Sequence, residues 1–573
     1  MTADVVTDVL VVGAGAAGMY AAVAASRAGA DTVLVDKSLI GRGGATIMAQ
    51  MTVAAAVAEQ EPDHWTHHLA DTLEAGRGLC NAELAAALCE EAPVRIRELG
   101  EWNIGWARAD GHMTQVMAPG HGVKRCVYVD FLNTGPAVAK TLRTQVGRCD
   151  NLRRAGELVI TSVVVDAGRA VGAVGLDLET GAAVTIDAKA VILAAGGLTR
   201  LYSRNSASVN MGGDAFALAL RAGAELIDME FVQFFPIGHL APRLVGMDPI
   251  MWDPFRYKLG GRLLNSEGEE FVQNYGHAEA ADKYTAPRDV AAFAILQEVA
   301  AGRGSPAGGA FLSFEHIPEA ELRAAFGPVI DRLAANGIDL TQRGIEVSPI
   351  AHYHMGGIRV DIRMATKVPG LYAAGEAVGG ANGANRLSGN ALSEAFVFGE
   401  RAGRFAAADV AGQSSGWSDA AAADAVREIA ASADAAAHHS GPGLAGLLVE
   451  LQDLMWRDVG LLRTEAGLES ALARICAMQA EIGDTPGATD HRFALSLQDW
   501  FDMRNSLLAA ETIVVGALAR TESRGAHQRE DRPRTDPGQA HNLVTRLTAA
   551  GLTVEPAALV VKDVEIVPLE AAE

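Results

Sequence analysis

The first forty residues constrain the chain most. An apolar run at Asp8–Val12 leads into Gly13-Ala14-Gly15-Ala16-Ala17-Gly18. A helical stretch follows over Met19–Ala28, and a second apolar run, Thr32–Val35, stops at Asp36. Short apolar runs bounded by glycine fit buried strands, so the order is strand, turn, helix, strand. Each glycine then has its own task. Gly13 permits a tight turn, Gly15 lets backbone approach a pyrophosphate, and Gly18 lets the helix lie close on the sheet. The helix N-terminus offers N–H groups and a partial positive charge to phosphates, and Asp36 is placed to accept hydrogen bonds from ribose hydroxyls. The segment predicts a parallel α/β sheet that binds a dinucleotide.

Three later segments decide which dinucleotide. Lys37–Gln50 holds a second glycine-rich turn, Arg42-Gly43-Gly44-Ala45-Thr46. Ala190–Ala195 reads as a buried strand closing in Gly196-Gly197. Gly370-Leu371-Tyr372-Ala373-Ala374-Gly375-Glu376 is another apolar strand ending in glycine plus acid, which suits a carboxylate and backbone amides set against a ribityl-pyrophosphate. Nicotinamide enzymes do not need these pieces, whereas a flavin held across a split domain does. FAD is the expected cofactor.

Composition narrows the remaining classes. With 48 Lys plus Arg against 70 Asp plus Glu, the 573-residue chain carries a formal charge of −22, which repels nucleic acid and anionic membranes. An apolar fraction of 49% and a charged fraction of 21% are those of a folded chain. Cys80, Cys89, Cys126, Cys149 and Cys476 include no Cys-x-x-Cys pair, so no metal or iron–sulfur site is expected within the chain, and a reducing compartment is. No apolar run reaches the roughly 18 residues of a membrane span; the stretch near Leu508–Ala519 is shorter and contains Glu511. Without a basic-then-apolar leader, the expected location is cytoplasmic, or peripheral to a membrane through partner subunits.

Six segments in order carry a resemblance to a known family. They are the Gly13–Gly18 fingerprint, Gln233-Phe234-Phe235-Pro236, Pro287-Arg288-Asp289-Val290, His352-Tyr353-His354-Met355-Gly356-Gly357-Ile358, Gly383-Ala384-Asn385-Arg386-Leu387 and Arg520-Thr521-Glu522-Ser523-Arg524-Gly525-Ala526-His527. In them the chain resembles the flavoprotein subunits of fumarate reductase and succinate dehydrogenase, together with L-aspartate oxidase. The resemblance implies an α/β fold with a split Rossmann-like FAD-binding domain at 1–228 and 346–412, an inserted α+β capping domain at 229–345, a C-terminal helical domain at 413–530 and a tail at 531–573. Ala420–Ala437, Leu444–Gly460 and Ser496–Ala519 carry apolar residues at helical spacing. Within the tail, Ala558–Val567 reads as a strand.

The chemistry the resemblance implies is interconversion of a saturated and an α,β-unsaturated carboxylic acid, with hydride transfer at flavin N5. Arginine suits the carboxylate clamps because its planar fork matches a carboxylate. Arg386 is implied as a clamp, Arg288 as the acid–base group, and His352 as a substrate-carboxylate ligand. Gln233 and Phe235 stand at substrate positions. Asp253 and Arg256 have the spacing of the family's proton relay. The implied cofactor contacts are Gly13, Gly15, Ala16, Ala17, Gly18, Asp36, Lys37, Gly43, Gly44, Ala45, Thr46, Val164, Ala195, Gly196, Asp214, Glu376, Arg386, Asn390, Ala391 and Leu392. Structural roles stand beside these: a loop arginine at 386, an Arg288–Asp289 pair, a satisfied core histidine at 352. His354 has no assigned role.

Three departures from the family pattern bear on function. Where the succinate enzymes read Gln-Phe-His-Pro, this chain has Phe235, so a distal carboxylate loses a donor worth about 1–3 kcal/mol. Where they read Thr-Glu, it has Trp252-Asp253. Both changes favour a substrate with a less polar distal end, unless His239 or Arg256 reaches the same place. Where membrane-bound succinate dehydrogenases attach FAD through a Ser-His-Thr turn, the sequence is Gly44-Ala45-Thr46, so FAD is expected to be non-covalent and its potential low. The Glu522–Asp531 segment resembles subunits that dock an iron–sulfur partner, which is the expected electron partner. A free-standing oxidase of the aspartate oxidase kind is the alternative, and a flavin-bearing assembly component without catalysis is a third reading.

Overall fold

Val5–Val12 runs between Thr32–Val35 and Ala183–Leu193, parallel to both, with Val12 opposite Val35 and Leu193. Leu371–Ala373 adds a parallel strand on Ala183–Leu193, with Ala373 opposite Leu193, and Leu152–Ala155 pairs with Thr32–Val35. Two antiparallel strands, Arg169–Asp177 and Leu158–Asp166, complete a seven-stranded sheet. Val9, Leu10, Val11, Leu34, Val35, Ile192 and Leu193 are fully buried, as strands covered on both faces require. The register has a functional consequence. Because Val12, Val35, Leu193 and Ala373 end side by side, the Gly13 turn, Asp36, Ala195-Gly196 and Gly375-Glu376 all leave the sheet at one carboxyl edge. That edge is where doubly wound sheets take their ligands.

This computed structural model describes residues 3–130, 132–206, 208–244, 250–252, 256, 259–275, 288–431, 443–483 and 495–569, with the backbone alone at Arg288, Asp289, Pro328 and Ala431. It divides into two units. Met1–Ser203, Ala207–Val232 and Tyr353–Glu573 form the first; Arg204–Ser206 and Gln233–His352 form the second. In the first, helix Ala16–Arg27 packs along helix Asn390–Val410. Helices Asp419–Ala431, Leu444–Asp458, Glu465–Ile482 and Leu495–Ala519 belong to the same unit. Glu465–Ile482 starts where Thr464 Oγ1 accepts the Gly467 N–H at 3.1 Å. None of the helices among the described residues is long and apolar enough to cross a membrane.

The tail differs from the sequence expectation. Its strands are Asn542–Thr548 and Gly551–Ala557, an antiparallel hairpin that pairs with Leu226–Ile227. Ala558–Val567 is not a strand. It is held by hydrogen bonds to other segments instead, with Val560 O accepting the Ala82 N–H and the Val567 N–H donating to Thr66 Oγ1. Its β-branched residues read as a strand, but among the described residues they pair with no strand, and these backbone bonds go to the first residue of helix Ala82–Glu101 and to a side chain of helix Trp65–Ala75.

The second unit is α+β. Its sheet has the order Val232–Ala241, Ile345–His354, Ala310–Ser313, Arg262–Leu264, and helices Arg288–Ala300, Glu319–Phe326 and Pro328–Ala335 accompany it. Trp252, Phe314 and Phe326 form an aromatic core there, with Trp252–Phe326 edge-on at 6.1 Å and Phe314–Phe326 at 5.6 Å.

Candidate active site

The Gly13–Gly18 turn shows why each glycine is needed. Gly13 has φ +103°, and a Cβ there would fall 2.5 Å from Ala194 O. A Cβ at Gly18 would overlap Gly13 O. Gly15 is different: its Cβ would meet nothing nearer than Thr46 Oγ1 at 3.5 Å. This glycine keeps an open face at the start of a helix whose N-cap provides no side-chain cap. Ala16 N–H donates to Thr46 Oγ1 at 2.9 Å, and Ala17 and Gly18 are buried in the first turn. Asp36 is fixed by Ala14 N–H, 2.6 Å from Oδ2, and by the Ser38 N–H and hydroxyl, both 2.7 Å from Oδ1.

Around this turn stand the other cofactor candidates. Gly44 N–H donates to Ser208 Oγ at 2.9 Å, and Gly43, Gly44 and Ala45 are half-buried. Ala195 and Gly196 are half-buried too. Glu376 Oε1 accepts the His354 N–H at 3.1 Å, and the protein packed around the carboxyl pushes it up to about 7 by withholding water. Gly389, with φ +84°, opens helix Asn390–Val410, so half-buried Ala391 and buried Leu392 lie in its positively polarised first turn. These features fit a dinucleotide: a Cβ-free approach, two helix N-termini and acids at two strand ends.

Four candidates, Lys37, Asp214, Val164 and Asn390, are placed otherwise than their neighbours. Lys37 Nζ lies 2.7 Å from Asp214 Oδ2 and 3.0 Å from Asp502 Oδ1 in helix Leu495–Ala519. Burial opposes its charge, and the two aspartates outweigh that and hold the ammonium above its ordinary value. Sequence reading paired neither Lys37 with Asp214 nor either with Asp502. Val164 is buried in an apolar cluster with Leu176, Trp500 and Phe501. The Asn390 side chain is bonded inward, to His68 Nε2 at 2.8 Å and Thr72 Oγ1 at 3.1 Å.

Arg386 is 5% exposed, and its guanidinium lies 4.3 Å from the centre of the Tyr353 ring. Tyr353 OH donates to Glu394 Oε2 at 2.7 Å, a pair no sequence motif announced. His354 sits in the core beside Phe216, its Nε2 3.0 Å from Met229 O; burial pushes it down to about 4, so the ring is neutral. The Arg520–His527 motif faces inward. Arg520 Nε donates to Glu230 Oε1 at 2.5 Å, and Arg463 Nη1 lies 2.7 Å from His527 Nδ1.

In the second unit, His352 is half-buried, its Nδ1 2.8 Å from Ser206 Oγ. The Phe235 ring meets it edge-on at 5.4 Å and clusters with Met251 and Ile350. His239 engages both ring nitrogens internally: Nδ1 with the Trp252 indole N–H at 3.2 Å, Nε2 with Pro242 O at 2.5 Å. Gln233 is 6% exposed and Arg256 2%. Arg288 is placed by its backbone at the start of helix Arg288–Ala300. Asp253 lies outside the described residues.

Comparison with known proteins gives a consistent picture. Residues 8–392 match the FAD binding domain family, and residues 449–571 match the fumarate reductase flavoprotein C-terminal family. The fumarate reductase (CoM/CoB) of Methanothermobacter marburgensis contains one polypeptide that is 35% identical, over 92% of this chain and 95% of its own length. L-aspartate oxidase of Caulobacter vibrioides is also 35% identical, over 94% of this chain and 95% of its own. The E. coli quinol fumarate reductase chain FrdA has a TM-score of 0.89 at 28% identity, with 99% of each chain covered.

Proposed function

The chain belongs to the fumarate reductase and succinate dehydrogenase flavoprotein family, an FAD-dependent oxidoreductase, and from that premise we propose that it interconverts a saturated and an α,β-unsaturated carboxylic acid. FAD supplies the hydride acceptor or donor at N5 when bound. The observation that carries the reading is Arg386: a guanidinium almost wholly withdrawn from water, ten residues after Glu376 at the carboxyl edge of the sheet. A desolvated arginine is a strong carboxylate ligand, and its fork fixes the acid's orientation. His352 takes a further carboxylate oxygen, with Ser206 fixing the ring. Arg288 moves the proton that accompanies the hydride, and Asp253 and Arg256 serve it as a relay. Ala45 has no nucleophile, so FAD is held without a covalent bond and all the flavin leaves the protein on acid precipitation. Electrons pass to or from an iron–sulfur partner subunit.

A second reading concerns substrate polarity. The apolar cluster Phe235–Met251–Ile350 beside His352, together with a His239 tied to Trp252 and Pro242, favours an acid with a less polar end than fumarate. The test is anaerobic titration of the flavin spectrum with fumarate, crotonate and cinnamate and with their saturated counterparts. Bleaching by one saturated acid, or reoxidation of reduced flavin by one unsaturated acid, supports the interconversion, and a stronger response with the crotonate or cinnamate pair than with the fumarate pair supports the less polar substrate. Silence across the panel contradicts it, and peroxide formed with L-aspartate in air favours an oxidase instead.

A further inference from the structure

The loop 379–390 carries Arg386 and is held from several sides within the first unit. Asn81 N–H donates to Gly380 O at 2.8 Å, and Ala384 N–H donates to Gly76 O at 3.0 Å. Ala526 N–H donates to Ala384 O at 2.9 Å, and the neighbouring Gly525, φ +53°, comes so close that a Cβ would overlap Ala384 O. These contacts fix the loop backbone. They do not fix the guanidinium, which stands at the end of a long flexible stem. Its Nη1 donates to Leu387 O at a long 3.3 Å, and the Tyr353 face supplies its broad support.

What holds Tyr353 therefore bears directly on where the guanidinium stands. Its hydroxyl donates to Glu394 Oε2 at 2.7 Å, and Asn382 Nδ2 donates to the same oxygen at 2.6 Å. Glu394 is 1% exposed, and Asn382, itself on the Arg386 loop, is 2% exposed. One carboxyl oxygen thus ties the ring beneath Arg386 to the loop above it. We propose that Glu394 is a positioning residue for substrate binding, which acts through the Tyr353 ring to hold the Arg386 guanidinium in carboxylate-binding geometry. The inference rests on the proposed role of Arg386. Burial pushes Glu394 up to about 8, so at neutral pH its oxygen accepts both donors as part of an uncharged carboxyl. Glutamine is a close mimic of that state, since its carbonyl oxygen accepts the same two bonds. Leucine is not. Because Glu394 acts through the Tyr353 ring, the effect belongs in binding and not in the chemical step.

The test uses flavin-loaded protein and crotonate and fumarate as probes. Equilibrium Kd is read from the flavin absorbance, and KM and kcat from anaerobic turnover with reduced dye. Glu394→Leu is expected to raise Kd and KM by about tenfold or more with kcat within about threefold, and Glu394→Gln to stay within about threefold of the parent in all three. Tyr353→Phe keeps the ring but loses its tether, and is expected to fall between them. A Glu394→Leu protein that keeps its flavin and binds both acids as the parent does overturns the inference, as does a Glu394→Gln protein as impaired as Glu394→Leu. Arg386→Ala separates the two levels. If it abolishes acid binding while Glu394→Leu does not weaken it, the reading of Arg386 stands and the role of Glu394 falls. If Arg386→Ala binds acid normally, the reading itself falls, and this inference with it.

Discussion

The loop around Arg386 and the strand around Phe235 bury side chains by opposite means. Around Arg386 the contacts are polar and interlocked: Tyr353 and Asn382 share Glu394, and Asn390 joins His68 to Thr72. Around Phe235 the neighbours are Met251, Ile350 and the edge of the His352 ring. A polar network admits one geometry, because a lost contact strands a buried donor or acceptor. An apolar cluster accepts side chains of similar volume and different shape. Under the proposed function, the first region is the one that would hold the acid's carboxylate rigidly and the second the one that would tune substrate preference.

The contrast breaks most decisively at Arg386. Arg386→Ala removes a desolvated cation, and is expected to lower kcat/KM for the preferred acid by about 10²–10³-fold, or roughly 3–4 kcal/mol, in steady-state assays. A loss below threefold would show that the polar region does not bind the acid. Phe235→His sharpens the other side. By restoring a donor it is expected to raise the preference for fumarate over crotonate roughly ten- to a hundred-fold, in ratios of kcat/KM. An unchanged ratio would mean that the apolar strand does not set preference.

Two smaller effects follow. Gly525→Ala strains a left-handed backbone and pushes on Ala384, and is expected to lower stability by about 1–3 kcal/mol in denaturant titration while raising KM. The last effect is in pH. Burial raises Glu376 to about 7 and Glu394 to about 8, so the fold favours their neutral forms. That contribution is complete below the ordinary carboxylate pKa and is lost as pH rises through 7 to 8. The melting temperature is expected to fall by a few degrees between about pH 5 and pH 9, and less in Glu394→Gln, whose amide does not titrate. A melting temperature that rises over this range contradicts the assignment. The charged neighbours at these sites are Arg386 and the two acids themselves.

How far the sequence could be read depended on how local each interaction is. Gly13, Gly15, Gly18 and Asp36 lie within one strand–turn–helix–strand unit, so their spacing alone placed them at one sheet edge. The apolar runs at Thr32–Val35 and Leu371–Ala373 were legible because buried parallel strands are apolar throughout. Tyr353 and Glu394 are 41 residues apart, and Lys37 and Asp502 are 465 apart. No periodicity links such pairs, and only the folded chain brings them together. Ala558–Val567 differs for a related reason: strand composition is local, whereas the partner of its Val567 N–H, Thr66, is 501 residues away. Phe235 was legible as a departure from a family pattern, but its partners Met251 and Ile350 were not.

The central claim is that a flavin and a desolvated Arg386 act on one carboxylic acid. The most direct measurement is anaerobic photoreduction of the purified holoprotein, followed by mixing with fumarate, crotonate or cinnamate and recording the visible absorbance. The account predicts rapid return of the oxidised flavin spectrum with at least one of these acids, slowed by about a hundredfold or more in Arg386→Ala. Flavin that stays reduced with all three, or that reoxidises equally fast in the variant, would contradict it.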